Sequence, residues 1–389
     1  MPVSTPPSDL VIRKWRKTVW RDYQRDNLFA DLMGNSDAAV IHRFYELKDD
    51  GEEIIIPLAA LPDADGVVGD QTLVGNEHDL KQYGHALRID WWRDAVLLNK
   101  KQQRRSVTDQ LEEVRPALTQ TAANRLRDDV IRALWTVTGE KSTLAQGTGL
   151  TPKQRNKVAN VNGVYYPFAT TAQRNAWHDA NRDRIQYGAA RTNTITGDHA
   201  ASLANVDATN DRLVGTAIRA LKRLAKKAKP KIHPVQIEGG REYFIVAAGT
   251  NAFRDFSQDP EVVKANLEAR ARGVDSNPIF QDGDLILNGM MVREVPEIDD
   301  LCTIAGAGAA GINVTPVFVM GRQALGYAVG QLPKPTQRAE DDYGFVTGRG
   351  IETCYGMGKI QFQDREFGTS APLKDWGIVT GFFASVDDQ

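Results

Sequence analysis

Between Val107 and Leu134 apolar residues return every three or four positions: Val107, Leu111, Val114, Leu118, Ala122, Leu126, Val130 and Leu134. That is the period of one face of an α-helix, and charged residues fill the other faces. Residues 100–138 therefore read as one long amphipathic helix reaching about 50 Å at about 1.5 Å per residue. Pro116 is expected to kink or divide it near Arg115, because proline removes a backbone donor and clashes with the preceding turn. A helix of this kind is a packed spine rather than a cofactor site.

The chain before the spine is of another type. "AAVIHRFYEL" and "EEIIIPLAAL" are strand-like and joined through the turn cluster "KDDGE". A Gly- and Asp-rich tip follows, holding Asp65, Gly66 and Gly69, and "YGHALRIDWWRDAVLL" returns as strand. Residues 38–99 thus read as a long β-hairpin. An isolated two-stranded ribbon is marginal in water, so a partner subunit is one surface for it to lie on. Residues 1–37 read as an N-terminal arm. In it Arg and Lys alternate with Trp15, Trp20, Tyr23 and Phe29. Three readings stand: an arm across a neighbouring subunit with aromatic anchors, an amphipathic helix on its own domain, or a nucleic-acid contact. Trp15, Trp20, Tyr23, Phe29, Asp65, Gly66 and Gly69 are the candidate interface residues.

After the spine, residues 141–205 lack periodicity and read as an irregular insertion, with His178 and His199 as solvated loop histidines. Residues 206–339 carry a mixed α/β pattern. Within it "DRLVGTAIRALKRLAKKAK" is amphipathic with a cationic C-terminal end that suits the helix dipole. Asp259, Pro260 and Gly273 mark the start and stop of a second helix. Asn288-Gly289 signals a tight hairpin. "VTPVFVMGRQALGYAVG" reads as strand, glycine turn and short helix. Residues 340–389 alternate strands.

The chain has 389 residues, 41% hydrophobic and 25% charged, with a formal net charge of −2. That is ordinary globular composition, and it gives no bulk charge for nucleic-acid binding. Cys302 and Cys354 are the only cysteines, too few for a disulfide framework or a zinc cluster. The opening stretch lacks the apolar segment of a signal peptide, and no apolar run reaches the roughly 20 residues of a membrane helix. No H-E-x-x-H, G-x-S-x-G or Walker loop occurs. Gly306, Gly308 and Gly311 do match G-x-G-x-x-G. Yet the β-branched run after them, with Pro316 inside, reads as a strand, where a dinucleotide site needs a helix N-terminus. No catalytic residue, cofactor or metal is expected.

The order of elements (arm, long hairpin, spine helix, insertion, α/β lobe, C-terminal strands) resembles the major capsid proteins of tailed bacteriophages, an α+β fold of the Hong Kong 97 type. "HALRIDWWRDAVLLNKKQQRRSVTDQLEEVRPAL" looks like the end of the extended loop entering the spine. "GDLILNGMMVREVPE", "VFVMGRQALGYAVG" and "YGMGKIQF" with "DWGIVTGFFAS" look like the late part of such proteins, most similar to the branch typified by the N-four coliphage capsid protein. The resemblance implies a non-enzymatic shell subunit. Its parts would be an N-terminal arm (1–37), an extended loop (38–99), a peripheral domain with the spine helix (100–140), the insertion (141–205), an axial domain (206–339) and C-terminal strands returning to the peripheral domain (340–389). It further implies pentamers and hexamers of the chain, a separate scaffolding protein, a portal, room for a decoration protein, and nonspecific contact with packaged double-stranded DNA. Assembly would occur in the bacterial host cytoplasm, with no membrane partner. The glycines of 303–313 would then mean flexibility. Two other readings remain: an encapsulin-type nanocompartment shell, and a nucleotide-binding enzyme using residues 303–320.

Overall fold

The computed structural model describes residues 29–59, 66–70, 72–74, 77, 82–105, 110–137, 150–237, 241–268, 284–338, 345–363 and 373–387. They fall into two compact units. One holds Arg93–Arg125 and Pro333–Thr353; the other holds Leu28–Trp92, Leu126–Leu332 and Cys354–Gln389, each over its described residues.

Strand β1 (Met33–Gly34) runs parallel to β2 (Ile41–Phe44). The expected hairpin is shorter than the sequence suggested, because β2 is not one of its arms. Ile41 instead lies opposite Leu325, in parallel with a late strand. Val40 and Ile41 are buried in the same apolar core as Phe29 and Leu325, which is what fixes that choice. The true hairpin is β3 (Glu53–Ala59) with β4 (Gln82–Arg88), antiparallel from Glu53 opposite Arg88 to Ala59 opposite Gln82. Its two faces differ, as the two-residue strand period requires. Tyr83, His85 and Leu87 are buried, and Ile55 faces out.

The chain runs from Ile89 into β5 (Asp90–Asn99), then α1 (Lys100–Arg105) and α2 (Gln110–Leu134). No division occurs near Arg115: α2 continues through Pro116. Proline removes a single i→i−4 bond near the helix start, and the apolar positions Leu118, Ala122, Val130 and Leu134 are all buried beyond it, which outweighs that loss. The gap at residues 106–109 lies outside the described residues.

The described part of the insertion is ordered and central. It holds α3 (Pro152–Val158), β6 (Val161–Asn162), α4 (Thr171–Ala180), β7 (Ile185–Tyr187) and α5 (His199–Ala204). Two capping boxes start its helices, Thr151 with Gln154 and Thr170 with Gln173. Short elements with caps, rather than long periodic ones, explain why the stretch looked irregular. Asn160 and Asn162 act as a surrogate strand. Asn162 bonds both backbone groups of Arg88, accepting from N at 3.1 Å and donating to O at 3.0 Å. Asn160 Nδ2 donates to the carbonyls of Asp90 at 2.7 Å and Tyr355 at 2.9 Å.

The remaining elements are α6 (Gly215–Lys227), β8 (Val235–Ile237), β9 (Arg241–Ala248), α7 (Thr250–Gln258), α8 (Pro260–Glu268), β10 (Asp284–Leu287), β11 (Met290–Glu294), α9 (Glu297–Cys302) and β12 (Asn313–Met320), followed by β13 (Leu325–Gln337), β14 (Val346–Lys359), β15 (Gln361–Gln363), β16 (Leu373–Asp375) and β17 (Ile378–Ser385). Two sheets organise them. One has the order β1-β2-β13-β14-β5, with β6 beside β14; the other runs β10-β11-β9-β12-β17-β7, with β8 beside β9. Strand β17 is buried along its length, as befits a strand covered on both faces. Residues 340–389 therefore do not return as one block: β14 joins the first sheet and β17 the second, between β12 and β7. "LGYAVG" is strand rather than helix, because Gly326 and Gly330 let the side chains of Leu87 and Ile89 approach. Asn288 and Gly289 take the left-handed conformation (φ 52° and 72°) and turn β10 into β11 as expected. Asp259 precedes α8 as predicted, and its Oδ2 also accepts from Gly215 N at 2.6 Å, capping α6.

Candidate assembly surface and buried polar centres

Trp15, Trp20, Tyr23 and Asp65 lie outside the described residues. Phe29 is at 0% exposure inside this chain's own core, so its ring has no face to offer a neighbour. Gly66 and Gly69 are exposed turn residues, both at φ +69°, with open space where a Cβ would stand. Of the seven predicted interface residues, only Phe29, Gly66 and Gly69 are among the described residues. The structure exposes others. Ile55 on the hairpin, and Val68, Leu73 and Val74 in the span between its strands, are 61–80% exposed. In the smaller unit Val96, Leu97 and Phe345 are exposed, close to one another through the bond from Lys100 N to Phe345 O. Exposed apolar groups clustered on one excursion mark a contact surface.

The loop at 303–313 is compact, contrary to the flexibility expected of its glycines. Ile304 bridges Val314, Gly308 N donates to Ile312 O at 3.0 Å, and Ala309 N donates to Val206 O at 2.8 Å. A Cβ on Gly308 would meet Ile312 at 2.6 Å and the Val206 carbonyl at 2.9 Å. Residue Asn313 opens a strand, so the loop lacks the helix N-terminus that would hold a pyrophosphate.

His178 and His199 are not solvated; both are buried. They belong to a chain of hydrogen bonds with one self-consistent direction. His178 Nε2 faces the carbonyl of Ile195 at 2.9 Å and must donate to it. Its Nδ1 then accepts from Tyr187 Oη at 2.8 Å. Tyr187 Oη in turn accepts from His199 Nδ1 at 2.6 Å, and His199 Nε2 accepts from Tyr166 Oη at 2.9 Å. Each imidazole is neutral with one tautomer. Burial holds His199 down to about 3, helped by His178 and Arg174, and lowers His178 as well. Burial likewise pushes Tyr166 up to about 12 and raises Tyr187 well above the ordinary tyrosine value. None of these groups faces a cleft, so the chain is a structural lock rather than a relay.

A second polar centre forms around Asp375. Its carboxylate accepts from Lys359 Nζ at 3.1 Å, Trp177 Nε1 at 3.2 Å and Gln361 Nε2. Its N–H donates to Asn181 Oδ1 at 2.8 Å. Buried Arg184 donates to the carbonyls of Asp375, Trp376 and Pro230. Among the described residues no three or more His, Cys, Asp or Glu gather as a metal-holding group, and no helix is long and apolar enough to cross a membrane. What the geometry offers is a rigid, doubly locked core with apolar surface carried outside it.

Known proteins share that architecture. A family model described as "Phage capsid protein" matches residues 5–384. The major capsid protein of Pseudomonas phage KPP25 is 26% identical over 380 residues, covering 95% of this chain and 94% of that relative. The capsid structure of cyanophage Pam1 matches at 30% identity and TM-score 0.84, covering 100% of both chains. The capsid of Ralstonia phage GP4, at 19% identity and TM-score 0.69 over 98% of this chain and 97% of that one, shares the fold. These relatives are phage capsid proteins, neither encapsulins nor enzymes. The chain belongs to the phage capsid protein family: it is a major capsid protein, a subunit of the head shell of the virion, with the Hong Kong 97 type of fold.

Proposed function

We propose that copies of this chain form pentamers and hexamers that close an icosahedral head, with the arm (1–37) and the hairpin excursion crossing onto neighbouring copies. The exposed apolar row Ile55, Val68, Leu73 and Val74 carries this reading. It lies on an excursion that this chain leaves uncovered among its described residues, and only a neighbour would remove it from water. Residues 206–339 would meet around the five- and six-fold axes through heterologous contacts that close into rings. Assembly would take place in the host cytoplasm with a separate scaffolding protein, a portal and a decoration protein. Small basic patches would touch packaged double-stranded DNA without sequence preference.

Negative-stain electron microscopy with sedimentation velocity on the purified chain is the test. Closed shells, or five- and six-membered rings, are the expected result. A chain that stays a 43.0 kDa monomer even when coexpressed with the neighbouring head genes overturns the reading. Normal shells formed by the chain alone would contradict the need for a scaffold.

A further inference from the structure

We propose that a cleft in the smaller unit, between α2 and the β13–β14 pair, is a binding site for a phosphate-class oxyanion held by Arg115 and Arg349. The cleft has a volume of about 210 Å³ and is lined by Arg115 and Thr119 of α2, Thr336 and Gln337 of β13, and Arg349 and Gly350 of β14. Among the described residues, no Asp or Glu lines it.

The two arginines stand apart from others in this chain. Arg127, Arg132, Arg219, Arg254 and Arg293 each have a carboxylate in ion-pair reach. Arg115 has none among the described residues, and Arg349 donates one bond, at 3.3 Å, to the neutral amide oxygen of Gln337. Two guanidinium groups at one cavity with no counter-charge repel each other until an anion enters. Guanidinium presents parallel donors that fit two oxygens of one phosphate, and the hydroxyl of Thr336 adds a donor for a further oxygen, while that of Thr119 already donates to the Arg115 carbonyl at 3.1 Å. The floor is tight, since a Cβ on Gly350 would meet Thr336 Oγ1 at 2.8 Å and the Asp94 carbonyl at 3.1 Å. The volume is below the roughly 300–1,000 Å³ of pockets that enclose whole small molecules. It suits one oxyanion group, with anything attached to it remaining outside. Two sources share that chemistry: a phosphodiester of nucleic acid, or free phosphate. Only the nucleic-acid source rests on the shell reading above.

The test uses the full-length chain. Binding of a fluorescent DNA duplex of about 20 base pairs is followed by anisotropy over a salt series, and binding of inorganic phosphate by calorimetry. The double variant R115Q/R349Q is compared with K226Q/K227Q, which removes the same charge from exposed positions on α6. The cleft variant should weaken duplex binding about tenfold at low salt and flatten the log–log salt slope by about two, the release expected for two lost phosphate contacts. R115K/R349K, which keeps charge but loses the paired donors, should fall between. Phosphate that binds and displaces the duplex assigns the site to free phosphate as well; duplex binding without phosphate binding assigns it to the phosphodiester. Equal losses in both glutamine variants, no loss in the cleft variant, or equal competition by polyglutamate each overturn the site. Micrographs of the same samples report shell formation separately, so a failed site and a failed shell reading are distinguishable.

Discussion

Lys359 Nζ lies 3.1 Å from Asp375 Oδ2, and both side chains are almost wholly withdrawn from water. A buried pair of this kind adds little over an apolar pair of the same shape, but removing one partner strands the other charge. Lys359→Met leaves the Asp375 carboxylate with only neutral donors from Trp177 and Gln361. The expected loss is about 3–5 kcal/mol, read as a large drop in the denaturant midpoint of the unassembled chain. A loss under about 1 kcal/mol would mean that the Trp177 and Gln361 donors suffice for the carboxylate without the lysine.

The histidine–tyrosine lock predicts acid sensitivity. His199 is held at about 3 in the fold, against 6.5 for an ordinary histidine. Between those values the unfolded chain binds a proton that the folded chain does not. Stability is therefore full above pH 6.5 and falls as pH drops toward about 3, by roughly 1.4 kcal/mol per unit. His85, held near 4 by burial, acts in the same direction. Denaturant midpoints at about pH 7 and pH 4.5 should differ by ~3 kcal/mol more in the natural chain than in His199→Phe. Equal pH dependence in the two proteins would show that His199 is already charged in the fold.

Asn162 supplies Arg88 with both a donor and an acceptor. Asn162→Ala would leave that backbone N–H and C=O unpaired, at a cost of about 1–3 kcal/mol. Asn162→Asp, which sets a buried carboxylate oxygen against the Arg88 and Met357 carbonyls, should cost at least as much. Thermal melting of both variants orders them.

Ile55→Glu changes a side chain 65% exposed in this chain. The isolated subunit should keep its stability within about 0.5 kcal/mol, while shells or rings should be lost in micrographs. Intact shells would remove Ile55 from the contact surface.

The glycine loop at 303–313 should bind no nucleotide. Saturating NAD or ATP should leave the melting temperature unmoved, where a true ligand at 100-fold its Kd stabilises by about 2.7 kcal/mol. Gly308→Asp should destabilise the fold by clashing with Val206 and Ile312, with no ligand involved.

Local signals in the sequence were reliable where the structure is local. The apolar period of α2, the Asn288-Gly289 turn and the Asp259 start of α8 all describe short stretches of backbone, and each stands in the structure. Partner choice was not legible. The alternation in "AAVIHRFYEL" fits a hairpin arm as well as β2, and only the pairing of Ile41 with Leu325 separates them. His178 and His199 looked solvated because their partners, Tyr166 and Tyr187, reach them through tertiary packing. The insertion did hold readable marks, the Thr-x-x-Gln boxes at Thr151 and Thr170. A search for long periods passes over helices this short. Of the proposed interface residues, sequence alone could not say that Phe29 turns inward.

The pairing of Ile41 with Leu325 also sets a timetable. Strand β2 emerges early in synthesis, and the strand beside it, β13, is made only when most of the chain is out. At about 5–20 residues per second, that leaves the edge of β2 away from β1 open for some tens of seconds. During that interval a growing subunit offers an open strand to every other nascent copy on the same message. The yield of usable subunits would thus depend on a brief vulnerability at the ribosome, and on how crowded translation is there.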